Sequence, residues 1–183
     1  MERKVYGVFE STHITGRNFS LIGDKDLENG MLVHKGELIE SGHGREVYRA
    51  VVPTATSIAA NEPVYVVGNP AWSYDSSSSV NQNEDNYFVP AGKTFRAYQL
   101  NVTDRFGVSD YSILGATEAN PIAVGDYVGL TADGTKLTRV SAKPNAGFAG
   151  RVYQIREMGF NVWVGQEANL SSTLVRIEVL RNG

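Results

Sequence analysis

The side chains able to do acid–base, nucleophilic or ligand chemistry are scattered. His13, His34 and His43 are the only histidines, and no two share a metal-ligand spacing such as HxxxH. His43 sits between Gly42 and Gly44, which reads as a solvated loop histidine. Serines abound, yet none falls in GxSxG or SxxK, the contexts that activate a serine nucleophile. Asp24, Asp26 and Glu28 alternate, so a strand would put them on one face, where such charges discourage edge pairing. Asn81-Gln82-Asn83-Glu84-Asp85-Asn86 offers calcium-compatible oxygens without the spacing or glycine of an EF-hand loop. Gly42-His43-Gly44 precedes a strand-like run and no helix, so it is not a phosphate cradle. Trp72, Tyr74 and Trp163 could stack on a sugar, but burial at a loop base or in a core is the commoner use of such rings. We assign no catalytic, cofactor or metal residue and expect a non-enzyme.

The elements that would position these groups are strands. Pro121 to Val140 contains Val124-Gly125-Asp126, a strand Tyr127 to Leu130, a turn at Ala132-Asp133-Gly134 and a return strand Lys136 to Val140. Asp-Gly between apolar runs is a hairpin signal, because such turns need positive φ. Further strands are expected at Lys4–Phe9, Met31–Val33, Glu46–Val52, Pro63–Val67, Thr94–Val102, Phe148–Ile155, Phe160–Val164 and Thr173–Leu180. Lys35-Gly36 reads as a turn, and Ala55 to Asn61 as a single helical turn. Val175, Ile177 and Val179 alternate with Arg176 and Glu178, the pattern of a half-buried strand. No segment keeps a 3.6-residue apolar period over three turns. The expected fold is mainly β, a small β-barrel or β-sandwich, with an N-terminal arm at 1–26 and a single β domain at 27–183. A long polar loop at 71–90 interrupts that domain.

Composition excludes several classes of function. The chain has 183 residues, a net charge of −3 and no cysteine, so disulfides and thiolate metal sites are ruled out. Residues 1–60 carry 7 basic and 8 acidic side chains, 61–120 carry 3 and 7, and 121–183 carry 7 and 5. No basic stripe is present, so nucleic acid is not expected as a partner. The start MERKVYGVFESTH lacks an apolar core of signal-peptide length, and no run approaches a membrane span. The expected partner contacts are apolar side chains of the arm and of the loop base: Val5, Tyr6, Phe9, Ile14, Phe19, Trp72, Tyr74, Tyr87 and Phe88.

Val124-Gly125-Asp126-Tyr127-Val128, the Asp133-Gly134 turn and Gly147-Phe148-Ala149-Gly150-Arg151-Val152 together resemble the pattern of capsid decoration (cement) proteins of tailed bacteriophages. Glu28 to Val33 and Glu46 to Tyr48 are similar to phage virion proteins encoded near the major capsid gene. The resemblance is clearest over residues 120–165. The long loop and the arm depart from the compact cement pattern. It implies a virion protein, made in the host bacterial cytoplasm, that binds the outer capsid lattice as a dimer or trimer and stabilises the shell. Alternatives are a head-fibre or tail adhesin that binds host glycans, or a major shell subunit, although a shell subunit normally needs a long helix.

Overall fold

The computed structural model describes residues 7–40, 46–70, 87–117, 119–158 and 172–183. Val5, Tyr6, His43, Trp72, Tyr74, Trp163, the 81–86 oxygen run and the strand expected at Phe160–Val164 lie outside them. The described chain is mainly β and forms two sheets. In order these are β1 (Phe9–His13), β2 (Asn18–Ile22), β3 (Leu32–Glu40), β4 (Glu46–Val51), a short helix α1 (Ala55–Ala59), β5 (Val64–Val67) and β6 (Thr94–Gln99). Then come β7 (Arg105–Ser109), a 3-10 turn (Asp110–Ser112), β8 (Ile113–Leu114), β9 (Tyr127–Leu130), β10 (Leu137–Val140), β11 (Ala149–Met158) and β12 (Ser172–Arg181).

One sheet has seven strands in the order β1-β7-β12-β11-β9-β10-β8, and the other closes into a five-stranded ring, β2-β4-β3-β5-β6. The expected alternatives of barrel and sandwich are thus combined, with a small ring packed against an open sheet. The Tyr127–Val140 hairpin forms as read, with Leu130 opposite Leu137, Tyr127 opposite Val140 and Asp133 at φ 57° in the turn. The turn expected at Lys35-Gly36 does not form. β3 runs through it to Glu40, and the extra residues are absorbed as an irregular pairing with β4 between Lys35 and Leu38.

Two cores share one wall. Leu21, Val33, Tyr65, Val67, Phe95 and Ala97 fill the ring. Leu32, Val64, Val66 and Leu100 point the other way, into a larger core with Phe106, Val108, Phe148, Val175, Ile177 and Val179 of the sheet. The period of two along β5 sends alternate residues to opposite cores, and all four are buried. Val-Tyr-Val-Val therefore reads as a continuous apolar run for a physical reason. Each such side chain contributes about 1.5–3 kcal/mol on burial.

The segment expected as an arm is part of the domain. β1 pairs with β7, and β2 sits in the ring between β4 and β6. Between them Thr15 donates from its amide (3.0 Å) and hydroxyl (2.6 Å) to Oδ1 of the fully buried Asp104, whose Oδ2 accepts the Asn101 amide at 2.8 Å. On the outer face Arg176 of β12 reaches across β7 to both carboxylate oxygens of Glu10, at 2.8 and 3.2 Å. That hydrogen-bonded pair raises the Arg176 guanidinium above its ordinary pKa. At the other end of the chain Asn182 pairs with both backbone groups of Val64, accepting at 2.8 Å and donating at 2.9 Å, and donates to Leu100 O at 2.7 Å. The C-terminus thus binds the shared wall.

The ring and the sheet meet closely at Gly30. Its φ is +84°, and a Cβ there would lie 2.8 Å from Val108 Cγ1 and 3.1 Å from Val8 O. Gly92 has a similar φ of +74° with open space around it. Gly30→Ala should therefore destabilise by about 2–4 kcal/mol, from steric overlap added to left-handed strain, against about 1 kcal/mol for Gly92→Ala. Urea unfolding of the two variants measures the difference; equal losses would show that the Gly30 contact does not matter.

Candidate functional site

Among the described residues one Ser–His contact exists, and it is structural. Ser57 Oγ lies 2.8 Å from His34 Nε2, while His34 Nδ1 lies 3.0 Å from Pro63 O. The same hydroxyl accepts the Thr54 amide at 2.9 Å, and Thr54 Oγ1 accepts the Ser57 amide at 3.2 Å, the reciprocal bonds of a capping box. Ser57 and His34 are both buried, so Ser57 serves as the N3 partner of the N-cap Thr54 and is held away from solvent. The sequence alone could not show this pair, because β3 and α1 bring together residues 23 positions apart.

The expected contact residues that are described pack within the molecule. Phe9 stacks on Tyr98 at 5.7 Å, and both pack on the larger core, as does Ile14. Phe19 meets Tyr65 and Tyr48 edge-on at 5.4 and 6.0 Å, and Lys35 Nζ lies 4.4 Å from the centroids of both Phe19 and Tyr48. Burial, with Tyr48 alongside, raises the Tyr65 phenol above its usual pKa. Tyr87 packs on the ring core and its hydroxyl accepts from Asn69 Nδ2. Phe88 is half-buried, next to Val89, which exchanges backbone bonds with Leu27 at 2.7 and 2.9 Å. The apolar surface of Phe9, Ile14, Phe19 and Tyr87 thus stabilises the domain itself.

An open surface lies elsewhere, at the end of the sheet near β8. A groove of about 520 Å³ is lined by Asp110, Tyr111, Ile113, Ile122, Ile155 and Glu157, with Ala116, Thr117, Pro121 and Thr173 completing it. Its floor is the margin of the larger core, since the buried Ile113 and Ile122 belong to that core and Ile155 packs against it. β11 supplies Ile155 and Glu157 from one face, and Glu157 pairs with Thr173 of β12. Tyr111, in the 3-10 turn that lines the groove, is about half exposed (51%).

Cations next to or on β10 hold the lips. Arg139 Nε pairs with Asp126 Oδ2 at 2.8 Å, and its Nη1 donates to Asn120 Oδ1 (2.9 Å), Asn120 O (3.2 Å) and Pro121 O (3.3 Å). Asp126 Oδ2 also accepts the Ala123 amide at 2.8 Å. Lys136 Nζ donates to Tyr111 O at 3.0 Å. The Val124-Gly125-Asp126 segment is therefore a clamp that shapes one lip, with Gly125 at φ +99° and its amide on Val152 O at 2.8 Å.

Asp110 and Glu157 make no ion pair among the described residues. Burial holds the Asp110 carboxyl above its usual pKa, against the lowering effect of the Tyr111 amide. Among the described residues no group of three or more histidines or carboxylates could hold a metal ion. The groove offers an apolar floor, a tyrosine and two carboxylates. It was hidden in the sequence because Asp110-Tyr111-Ser112-Ile113 reads as a connector with a short apolar run. Comparison with family models, with curated proteins and with solved structures returns no match for this chain.

Two consequences can be measured. Arg139→Gln should lower stability by about 1–3 kcal/mol and speed hydrogen exchange at the Ala123 and Gly125 amides more than at β12, because an uncompensated Asp126 and a freed loop are left behind. Uniform exchange changes across the sheet would show that Arg139 holds the whole fold and not this lip. For Asp110 the folded pKa lies above the unfolded one, so the native state binds the extra proton and this residue favours folding as pH falls through the shifted value. Asp110→Asn should then raise Tm at pH 7, with the gain shrinking as pH falls from the raised folded value toward the ordinary aspartate pKa and gone below it; a lower Tm at pH 7 would contradict the burial penalty.

Proposed function

We propose that this chain is a structural virion protein that binds the outside of a tailed-phage capsid and stabilises the shell without catalysis. The observation that carries the reading is the groove beside β8, where the half-exposed Tyr111 adjoins an apolar floor of Ile113, Ile122 and Ile155. Exposed apolar surface grouped in this way marks association with another protein. The segment that resembles cement proteins supports it: Val124 to Val128 and Gly147 to Val152 build β9, β11 and the clamp beside that groove. Binding only to the assembled lattice would stabilise the shell by mass action, and a dimer or trimer at a lattice axis would add avidity. β1 and β8 end the sheet order, so association would also cover edges that otherwise invite non-specific pairing.

Capsids lacking the protein are the test material. Adding the purified chain should raise their melting temperature, and the chain should co-sediment in a fixed ratio to the major capsid protein, visible as regular outer density by electron microscopy. Absence of binding to capsids of the phage that encodes it would overturn the assignment.

A further inference from the structure

We propose that the β8 groove docks an extended protein segment in which a lysine or arginine adjoins an aliphatic side chain. The aliphatic group would lie on Ile113, Ile122 and Ile155, and the cation between Asp110 and Glu157. This names the partner chemistry of the site described above; it rests on reading that groove as a docking surface, and the capsid subunit would supply the segment if the shell is the partner.

Charge complementarity carries the argument. Lys136 and Arg139, which bond the groove residues Tyr111 and Pro121, are committed to Tyr111 O and to Asp126, Asn120 and Pro121, so they shape the lips. Asp110 and Glu157 keep no cation of their own among the described residues. An anionic or purely apolar ligand would leave both carboxylates desolvated without compensation, whereas a guanidinium or ammonium would supply the missing charge. The floor sets the second requirement, because the isoleucines offer no hydrogen bonds and reward only apolar contact. The extended form follows from the sheet. Among the described residues β8 pairs with β10 on one side and is last in the strand order, so a further strand can be added at its outer edge while side chains alternate into the groove. A volume of about 520 Å³ suits a few side chains of a bound segment.

The experiment titrates the full chain, labelled at isoleucine δ1 methyls, with two capped peptides, Val-Lys-Val-Lys-Val and Val-Glu-Val-Glu-Val. Expected is a saturable shift of the Ile113, Ile122 and Ile155 methyls with the lysine peptide alone, weakening as salt rises. The double variant Asp110→Asn, Glu157→Gln should keep the methyl spectrum of a folded protein and lose roughly tenfold or more in affinity. Shifts that are equal for both peptides, absent for both, or unaffected by the double variant would overturn the proposal. So would methyl shifts that depend on protein concentration without peptide, which would make a second copy the occupant. Shifts produced by deleting residues 1–6 would instead assign the groove to the chain's own N-terminus, and would equally overturn it. Capsid co-sedimentation that survives the double variant, with peptide binding lost, would place the shell contact elsewhere and leave the capsid assignment standing.

Discussion

Val64 to Val67 is buried on both faces because it belongs to two cores at once. Val64 and Val66 face the open sheet, while Tyr65 and Val67 face the interior of the ring, and β3 continues the same wall with Leu32 and Val33. Neither layer could bury its apolar face without that wall, so the two layers are coupled through it. The polar ties are arranged around the same place. Asn182 brings the C-terminus onto Val64, the buried Asn29 exchanges bonds of 2.8 and 2.9 Å with Asn69 just beyond β5, and Gly30 packs against Val108 where ring meets sheet. These bonds satisfy backbone groups at the ends of the wall that would otherwise be buried without partners.

This coupling explains why the N-terminal strands are part of the fold. β1 adds to the open sheet and β2 closes the ring, so a few residues of link pass from one layer to the other. The Thr15–Asp104 bonds hold that crossing, and a carboxylate fully buried there is tolerable because backbone and hydroxyl donors surround it. The aromatic side chains that made this segment look like a binding arm are the ones that anchor it. Phe9 lies on Tyr98 and Phe106, and Phe19 lies between Tyr48 and Tyr65.

The groove arises where the larger core meets the end of the sheet. β8 is two residues long, and its Ile113 meets Ile122 and Ile155 at the floor of the opening. Arg139 and Lys136 fix the surrounding loop and turn, so the opening is held in shape before any partner arrives. Preorganisation of this kind lowers the ordering cost of association. The residues of the cement-like motif act here as scaffold, with Asp126 turning the chain and accepting from Arg139.

Local pattern sufficed for much of the fold. Alternation in Val175, Ile177 and Val179 identified an inward face, and Asp133-Gly134 identified a hairpin turn, because period and turn chemistry act over a few residues. The β-branched run at Pro63 to Val67 announced a strand, but not that both of its faces would be covered. What covered it was a matter of tertiary structure, since the two cores draw on residues more than a hundred positions apart, such as Val64 and Val179. Lys35-Gly36 shows the limit from the other side: a glycine after a polar residue suits a turn, but pairing with both β4 and β5 favoured one long irregular strand. The apolar residues of the first segment were legible as groups that needed cover, but the sequence left open whether their own domain or another subunit supplied it. Asp110, Glu157 and the three isoleucines were legible only one by one. Their proximity depends on β11 returning beside the turn after β7, and no local spacing in a chain encodes which distant strands will share an edge.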